Sequence, residues 1–317
     1  MFTLPYSDVN WNGEMGTNQS NTSMPVSGTS IWAEFENDWF AQGVSRLAYK
    51  GTYHGDWRYE GKKCVVKLYK EQWCELLGEA AYKADVRASY KAHEMAQIFN
   101  RKHPTNKPIE FIIPKISKID TSAAFKFLGL FRIPKKVKGK LAGTQASSTE
   151  MIPKGSSVAI EDFLEGDYVK FLSNSSYVNH GIPTFLPAAF SHFTFHESRG
   201  QVLVCDLQGV RRERSYTFTD PAIHSWVDHD LGFYGPTDLG VFGMIKFFQN
   251  HHCNHICRGF LTPDLSKVPR DVAADINRIL QAIQIRSGST FTYELQRTGV
   301  RVSRMCEIQD ELVLQAK

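Results

Sequence analysis

A chain of 317 residues, 42% hydrophobic and 22% charged, holds enough apolar material for one large packed domain or two smaller ones. The formal net charge of +4, with Lys and Arg scattered, excludes the concentrated basic stripe of a nucleic-acid-binding domain. No run of 18 or more apolar residues occurs, so no membrane span is expected.

The start lacks a charged segment followed by an apolar core, so no secretory signal is read there. Residues 1–30 are rich in Asn, Ser, Thr and Gly, and Ser7 to Thr29 reads as a disordered tail. Order is expected from about Trp32. Tyr49 to His54 and Lys63 to Lys70 read as strands, joined by a hairpin connection holding Gly55 and Gly61. Glu79 to Asn100 carries apolar residues at helical spacing, and Ile109 to Ile119 is strand-like. Lys135 to Ser157 is a loop by composition, followed by a short strand from Val158 to Phe163. A helical stretch begins at Ala188 to Ser191, Gln201 to Cys205 is an apolar strand, and Leu239 to Cys257 and Arg270 to Ile285 read as helices. Strands early and helices late predict an α+β fold of two lobes with a cleft between them.

Six cysteines occur, at positions 64, 74, 205, 253, 257 and 306. A chain of this size does not need disulfides, and with no signal read the expected compartment is reducing and cytoplasmic. Cys64 and Cys205 lie in apolar strand-like runs and are expected in the core. Cys253 and Cys257 differ, because the run from His251 to Cys257 has the pattern H-x-C-x-x-x-C, one imidazole and two thiolates suited to zinc. On a helix Cys253 and Cys257 share a face whereas His251 and Cys253 do not, so the backbone must leave regular helix if all three bind one ion. Water in the fourth position makes a catalytic zinc; a remote residue, from His192, His196, His224 or His229, makes a structural one. The alternative is two core cysteines beside exposed histidines.

The strand QVLVCDLQGV ends in Asp206-Leu207-Gln208-Gly209, and a period of two puts Asp206 and Gln208 on one face. Asp220 follows after a short polar segment. Two carboxylates and an amide oxygen suit Mg, unless both acids simply sit in turns. Lys67, within CVVKLYK, is costly to bury without a partner. It either reaches nucleotide phosphates or faces solvent on an edge strand. The segment from Ala159 to Gly166 suits a hinge whose backbone contacts adenine. Gly232, Gly235, Gly240 and Gly243 make a glycine-rich approach to a helix that admits a phosphate or a substrate chain, though neither common nucleotide-loop pattern is present.

Eight segments in order between about Phe40 and Arg258 resemble the alpha-kinase family of atypical protein kinases. They are GVSRLAYKG, CVVKLYK, AHEMAQIFN, AIEDFLEGDYVKF, SHFTF, VCDLQGV, FTDPAIHS and DLGVFGMIKFFQNHHCNHIC. The HRD and DFG marks of ordinary kinases are missing, as that family predicts. The resemblance implies a kinase-like fold with an N-lobe over about 31–157 and a zinc-stabilised C-lobe over about 158–265, leaving 266–317 as a C-terminal extension. It implies transfer of the ATP γ-phosphate to Ser or Thr of a protein substrate, with Mg and a structural zinc. By the same resemblance Lys67, Arg46, Glu161 and Phe163 contact ATP, Asp206 is catalytic together with Lys67, and Gln208 and Asp220 bind Mg. His192 closes a zinc site with His251, Cys253 and Cys257, and Gly235, Asp238 and Gly240 form a substrate loop. Glu94 on the long helix is the expected ion-pair partner of Lys67. ATP and a protein substrate are the implied partners, with no nucleic acid.

Two departures from the family pattern stand out. The segment between Asp206 and Asp220 is longer than the family norm and carries Arg211, Arg212 and Arg214, either as solvated loop charges or to favour acidic or phosphorylated substrates. Asp238 stands where the family commonly has Asn. The rival readings are a catalytically inactive nucleotide-binding pseudokinase and a zinc hydrolase with an open metal site. Lys67, Asp206, Gln208 and Asp220 are positions a dead kinase can lose, and all four are present.

Overall fold

The computed structural model describes residues 20–43, 45–123, 125–127, 131–133, 152, 154–174, 178–226, 232–285, 308 and 314–316. Along the chain run β1 (Asn21–Ser23), β2 (Trp32–Gln42), β3 (Arg46–His54), β4 (Lys63–Tyr69), α1 (Glu71–Lys102), β5 (Ile109–Phe111) and β6 (Lys115–Thr121). A hairpin of β7 (Phe125–Phe127) and β8 (Phe131–Ile133) precedes β9 (Ser157–Asp162) and β10 (Tyr168–Lys170). Next come α2 (Phe185–Glu197), β11 (Val202–Cys205), β12 (Gln208–Arg211), β13 (Tyr216–Thr219) and β14 (Ala222–Ser225). The chain ends with α3 (Gly240–Asn250), β15 (Leu261–Pro263), α4 (Arg270–Ile285) and β16 (Leu314–Ala316). Two compact units result, Met1–Lys70 with Lys115–Asp162, and Glu71–Pro114 with Phe163–Lys317.

The first unit is a closed barrel in the order β1-β2-β3-β4-β9-β6. Period-two alternation turns Cys64, Val66 and Leu68 inward, where they meet Ala33, Phe35, Tyr49, Tyr53, Ile119, Val158 and Ile160. The expected tail to residue 30 is corrected here, because Asn21–Ser23 pairs with both β2 and β6 and closes the barrel. Polar composition misled because these side chains bury through hydrogen bonds. Ser23 Oγ accepts from Ala33 N at 2.9 Å, and Asn21 donates to Glu36 O and accepts from Ala123 N. Residues 1–19, and all of the expected loop from Lys135 to Ser157 except residues 152 and 154–157, lie outside the described residues.

The second unit holds a sheet in the order β10-β12-β13-β5, with β5 parallel to β13 and the other pairs antiparallel. Ala88, Ala92, Met95, Ala96 and Phe99 form the buried stripe of α1, and they pack with Phe111, Phe190, Phe193, Phe218 and Phe260. Phe99 meets Phe190 and Phe193 edge-on at 5.5 and 5.1 Å between ring centres.

The two units divide the chain elsewhere than the expected 31–157 and 158–265. The single strand from Ile109 to Ile119 is two, β5 in the second unit and β6 in the first, interrupted at Pro114, which has no N–H to offer a ladder. Residues 71–114 belong to the second unit, and β9 belongs to the first, where it fills the gap between β4 and β6. The extension 266–317 is built into the second unit where it is described. Val272, Ile276 and Ile279 of α4, with Ile308, pack against Trp226, Leu239, Val241, Phe242 and Ile245, and β16 pairs with β15. No helix among the described residues is long and apolar enough to cross a membrane.

Candidate functional site

In the first unit Lys67 lies on β4, which is flanked on both sides by β3 and β9. An edge strand is thereby excluded, and the side chain is only 10% exposed. Its ammonium meets Glu161 Oε2 on β9 at 2.6 Å, a diagonal pair across the strands, since Lys67 is in register with Ala159. This corrects the expected partner, because Glu94 lies on α1 in the second unit and pairs with Lys91 at 3.0 Å. Glu161 itself is 3% exposed, and one of its carboxylate oxygens meets Lys67 inside the unit. Arg46 opens β3 opposite Tyr69, with its guanidinium 5.5 Å from the centre of that ring. Phe163 follows β9 directly and is half-buried.

The acids are placed by strand register in the second unit. Cys205 pairs with Ala222 in the β11–β14 ladder, and Gln208 pairs with Thr219 in the β12–β13 ladder. Between those pairs one run of backbone contributes Asp206 and Leu207 and the antiparallel run Asp220 and Pro221. Both acids sit at this interruption, and both adopt left-handed backbone, with φ of 55° at Asp206 and 51° at Asp220. Such angles cost non-glycine residues energy and cluster at functional sites. The strand reading of Asp206 is thus corrected in its reason, since β11 ends at Cys205. Its result survives, because Gln208 Nε2 still donates to Asp206 Oδ2 at 3.3 Å. Gly209 next to it has φ of 151°, and a Cβ there would lie 2.1 Å from Thr217 O, so no other residue fits. The long segment after Gln208 is a hairpin rather than a loop.

Sequence reasoning missed Lys170. Its Nζ lies 2.7 Å from Asp206 Oδ1, and β10 holds it in register with Gln208. Nothing in Tyr168-Val169-Lys170 marks this lysine locally, because the signal is a strand pairing 38 residues away in sequence.

The expected substrate loop is corrected at Asp238. Gly235 and Gly240 do take positive φ, 105° and 55°. Asp238, however, is 1% exposed, and its oxygens accept from Ser225 N, Ser225 Oγ and Gly240 N at 2.6–2.9 Å. Its carboxylate caps the start of α3 from inside and offers no free oxygen to a substrate. Burial pushes the carboxyl up to about 6, against the lowering pull of those donors. The folded protein then binds more protons than the unfolded chain between about 3.9 and about 6. This contribution is complete below about 3.9 and is lost as pH rises through about 6. Asp238→Asn, which keeps the shape without the charge, is expected to gain stability over wild type on going from pH 4 to 7, by up to about 3 kcal/mol. Urea unfolding at both pH values measures it, and an unchanged difference would contradict the assignment.

Of the four candidate remote histidines, the described ones separate cleanly. His224 is fully buried, accepts from Leu239 N at 3.1 Å and donates to Asn174 O at 2.9 Å, and burial lowers it to about 4. Gly243 is required beside it, since a Cβ would lie 2.3 Å from the imidazole ring. His196 Nδ1 accepts from Leu261 N at 3.1 Å. His229 lies outside the described residues. His192, on the buried face of α2, joins His251, Cys253 and Cys257, with one donor atom from each lying within 4.8 Å of the others.

The expected helix from Leu239 to Cys257 ends early. His251 caps α3 with extended backbone, and His255–Cys257 is a separate 3-10 turn. This break turns the ligands toward one point. His192 Nδ1 lies 3.1 Å from His251 Nε2 and 3.7 Å from Cys253 Sγ, and Cys257 Sγ lies 3.6 Å from His251 Nε2. Tetrahedral zinc, with bonds of about 2.0–2.3 Å, separates its donors by about 3.3–3.8 Å, so the set fits such an ion. His192 Nε2 donates to Leu261 O at 2.9 Å, which puts the ring proton on Nε2 and the lone pair on Nδ1, the nitrogen facing the other three residues.

A family model described as the alpha-kinase family matches residues 41–257. The chain is 42% identical over 125 residues to eukaryotic elongation factor 2 kinase of Mus musculus, covering 39% of this chain and 16% of that protein. It is 35% identical over 234 residues to the Caenorhabditis elegans protein of the same name, covering 72% and 24%. It is 28% identical over 242 residues to alpha-protein kinase vwkA of Dictyostelium discoideum, covering 75% and 33%. The chain thus spans a third or less of these relatives' lengths. Among solved structures, an alpha kinase from Entamoeba histolytica matches with a TM-score of 0.55 at 23% identity, covering 77% of this chain and 91% of that one, a likeness of fold alone. The inactive alpha-kinase domain of myosin heavy chain kinase A in complex with ATP matches with a TM-score of 0.53 at 26% identity, covering 78% and 96%.

Proposed function

This chain belongs to the alpha-kinase family, and from that premise we propose that it is a protein kinase transferring the γ-phosphate of ATP to Ser or Thr of a protein, with Mg and a structural zinc. We read its two units as the two lobes of a kinase. The observation that carries the proposal is the break between the β11–β14 and β12–β13 ladders, which gathers Asp206, Gln208 and Asp220 at one end of a hairpin with Lys170 upon Asp206.

In the reaction, the acceptor hydroxyl oxygen attacks the γ-phosphorus, the bond to the β–γ bridging oxygen breaks, and ADP leaves. Asp206 orients that hydroxyl and accepts its proton, while Lys170 pins one carboxylate oxygen and leaves the other directed by Gln208. Gln208 and Asp220 offer the hard oxygen donors that Mg prefers. Bound Mg supplies charge neutralisation on the phosphates. Lys67, positioned by Glu161, presents a point charge to the nucleotide phosphates. Arg46 and Phe163 are assigned to ATP by resemblance.

His192, His251, Cys253 and Cys257 would hold the zinc, and a full set of four protein ligands would leave it no open position for catalysis. Zinc hydrolysis is the weaker reading for that reason. The test is incorporation of labelled γ-phosphate from ATP into a generic protein, with Mg and with a chelator, followed by phosphoamino-acid analysis. Mg-dependent phosphoserine or phosphothreonine is expected. A folded protein that binds ATP but transfers nothing would make it a nucleotide-binding scaffold.

A further inference from the structure

The β12–β13 hairpin that carries Gln208 at one end is strongly cationic at the other. Arg212 N donates to Ser215 O at 2.8 Å, closing a two-residue turn of Glu213 and Arg214. Arg211, Arg212 and Arg214 are all exposed, and among the described residues none of the three guanidiniums has a hydrogen-bond or ion-pair partner. A second segment adds to them. Lys107 Nζ lies 3.4 Å from Arg212 O, and Tyr216 N donates to Pro108 O at 2.9 Å, fixing the loop before β5 against the hairpin. Four cations thus share this end with two exposed acids, Glu213 of the turn and Asp167, which the register of β10 with β12 brings opposite Arg211. Of the cations, Arg211 lies on the paired ladder, Arg212 and Arg214 belong to its turn, and Lys107 to the loop tied against it; the hairpin itself is seated between β10 and β5.

We propose that this hairpin tip docks an anionic segment of the protein substrate, and that it sets a preference for acidic residues at a distance from the acceptor hydroxyl. The assignment rests on the kinase reading and deepens it. Gln208 and Arg212 are four residues apart, a reach of about 13 Å along a strand, and Asp206 lies two residues further back. An extended peptide advances at the same rise, so an acceptor at Asp206 places a residue about four to six positions away beside the tip. Carboxylate and phosphate share the chemistry that guanidinium recognises, phosphate with the added option of paired donors. Each exposed pair contributes little alone, and the effect depends on several cations acting together in low salt.

The test uses the full chain and fluorescein-labelled peptides with one Thr acceptor. Positions four to six on either side carry Asp and Glu, phosphoserine, or uncharged residues. Anisotropy reads binding, and ATP-dependent transfer reads turnover. Wild type is expected to bind the acidic peptide about tenfold tighter than the uncharged one at about 50 mM salt, with the gap closing near about 0.5 M. The variant R211Q/R212Q/R214Q is expected to lose the gap, with its rate on the uncharged peptide unchanged and the difference confined to KM. A further gain in the phosphoserine arm identifies a substrate phosphorylated beforehand; equal affinity in the two arms identifies carboxylates. Equal binding of acidic and uncharged peptides by wild type, or a gap that persists in the variant, overturns the proposal. So does a single-stranded oligonucleotide of matched charge that binds as tightly as the acidic peptide, which would make the tip a nucleic-acid surface. A binding gap lost in the variant without transfer to any peptide would leave the docking site standing and remove the kinase reading.

Discussion

Cys257→Ser is expected to strip zinc from the chain and to lower the Tm of the second unit by more than about 10 °C. The four ligands come from separate pieces of that unit: His192 from the middle of α2, His251 from the end of α3, and the two cysteines from the segment that follows. One ion bound there would tie α2 to the end of α3. Its influence runs further through His192, whose Nε2–H holds Leu261 of β15, the strand that pairs with β16. On the zinc reading, donors that approach within 3.1–3.7 Å would lose the cation between them in the metal-free chain, and the extended segment after Asn250 would lose its anchor. Metal analysis with calorimetry measures both effects. A metal-free variant with an unchanged Tm would show four residues that pack without an ion.

Lys67→Ala is expected to destabilise the barrel by about 3–5 kcal/mol in addition to abolishing transfer. The Lys67–Glu161 pair is 10% and 4% exposed by side chain, so removing the ammonium leaves a buried carboxylate without its charge partner. The double variant K67M/E161L separates the two roles. Replacing both partners by apolar groups of similar size removes the uncompensated charge, so stability is expected to return to within about 1 kcal/mol of wild type while transfer stays absent. Urea unfolding alongside phosphate incorporation reads both. An unchanged stability in the single variant would mean that the pair is not buried in solution.

The His/Cys cluster was the most legible part of the sequence, because its H-x-C-x-x-x-C pattern is local, and the need for a helix break near His251, if all three residues share one ion, follows from helical spacing alone. The remote ligand His192 came only from resemblance, since four histidines qualified equally by composition. Local strands and helices were legible where alternation or helical spacing was strong, as at β4, α1 and α4. What failed was long-range. β1 reads as a polar tail because its buried Asn21 and Ser23 are satisfied by partners 10 to 102 residues away. Lys170 is invisible until β10 is paired with β12, and the pairing of Glu161 with Lys67 is invisible until β9 is laid against β4. Asp238 reads as a loop acid because neither its burial nor its capping of α3 leaves a trace in nearby residues. Left-handed backbone at Asp206 and Asp220 was equally unreadable, and it is what lets two ladders meet with both acids at the junction.

The central claim is that the carboxylate of Asp206, directed by Lys170 and Gln208, serves phosphoryl transfer from ATP. Its most direct test compares wild type with Asp206→Asn for γ-phosphate incorporation with Mg, at matched zinc content, Tm and ATP affinity. The amide keeps the shape but cannot accept the hydroxyl proton, so transfer is expected to fall by about 10²–10⁴-fold. Transfer at the wild-type rate by the folded, zinc-loaded variant would contradict the account.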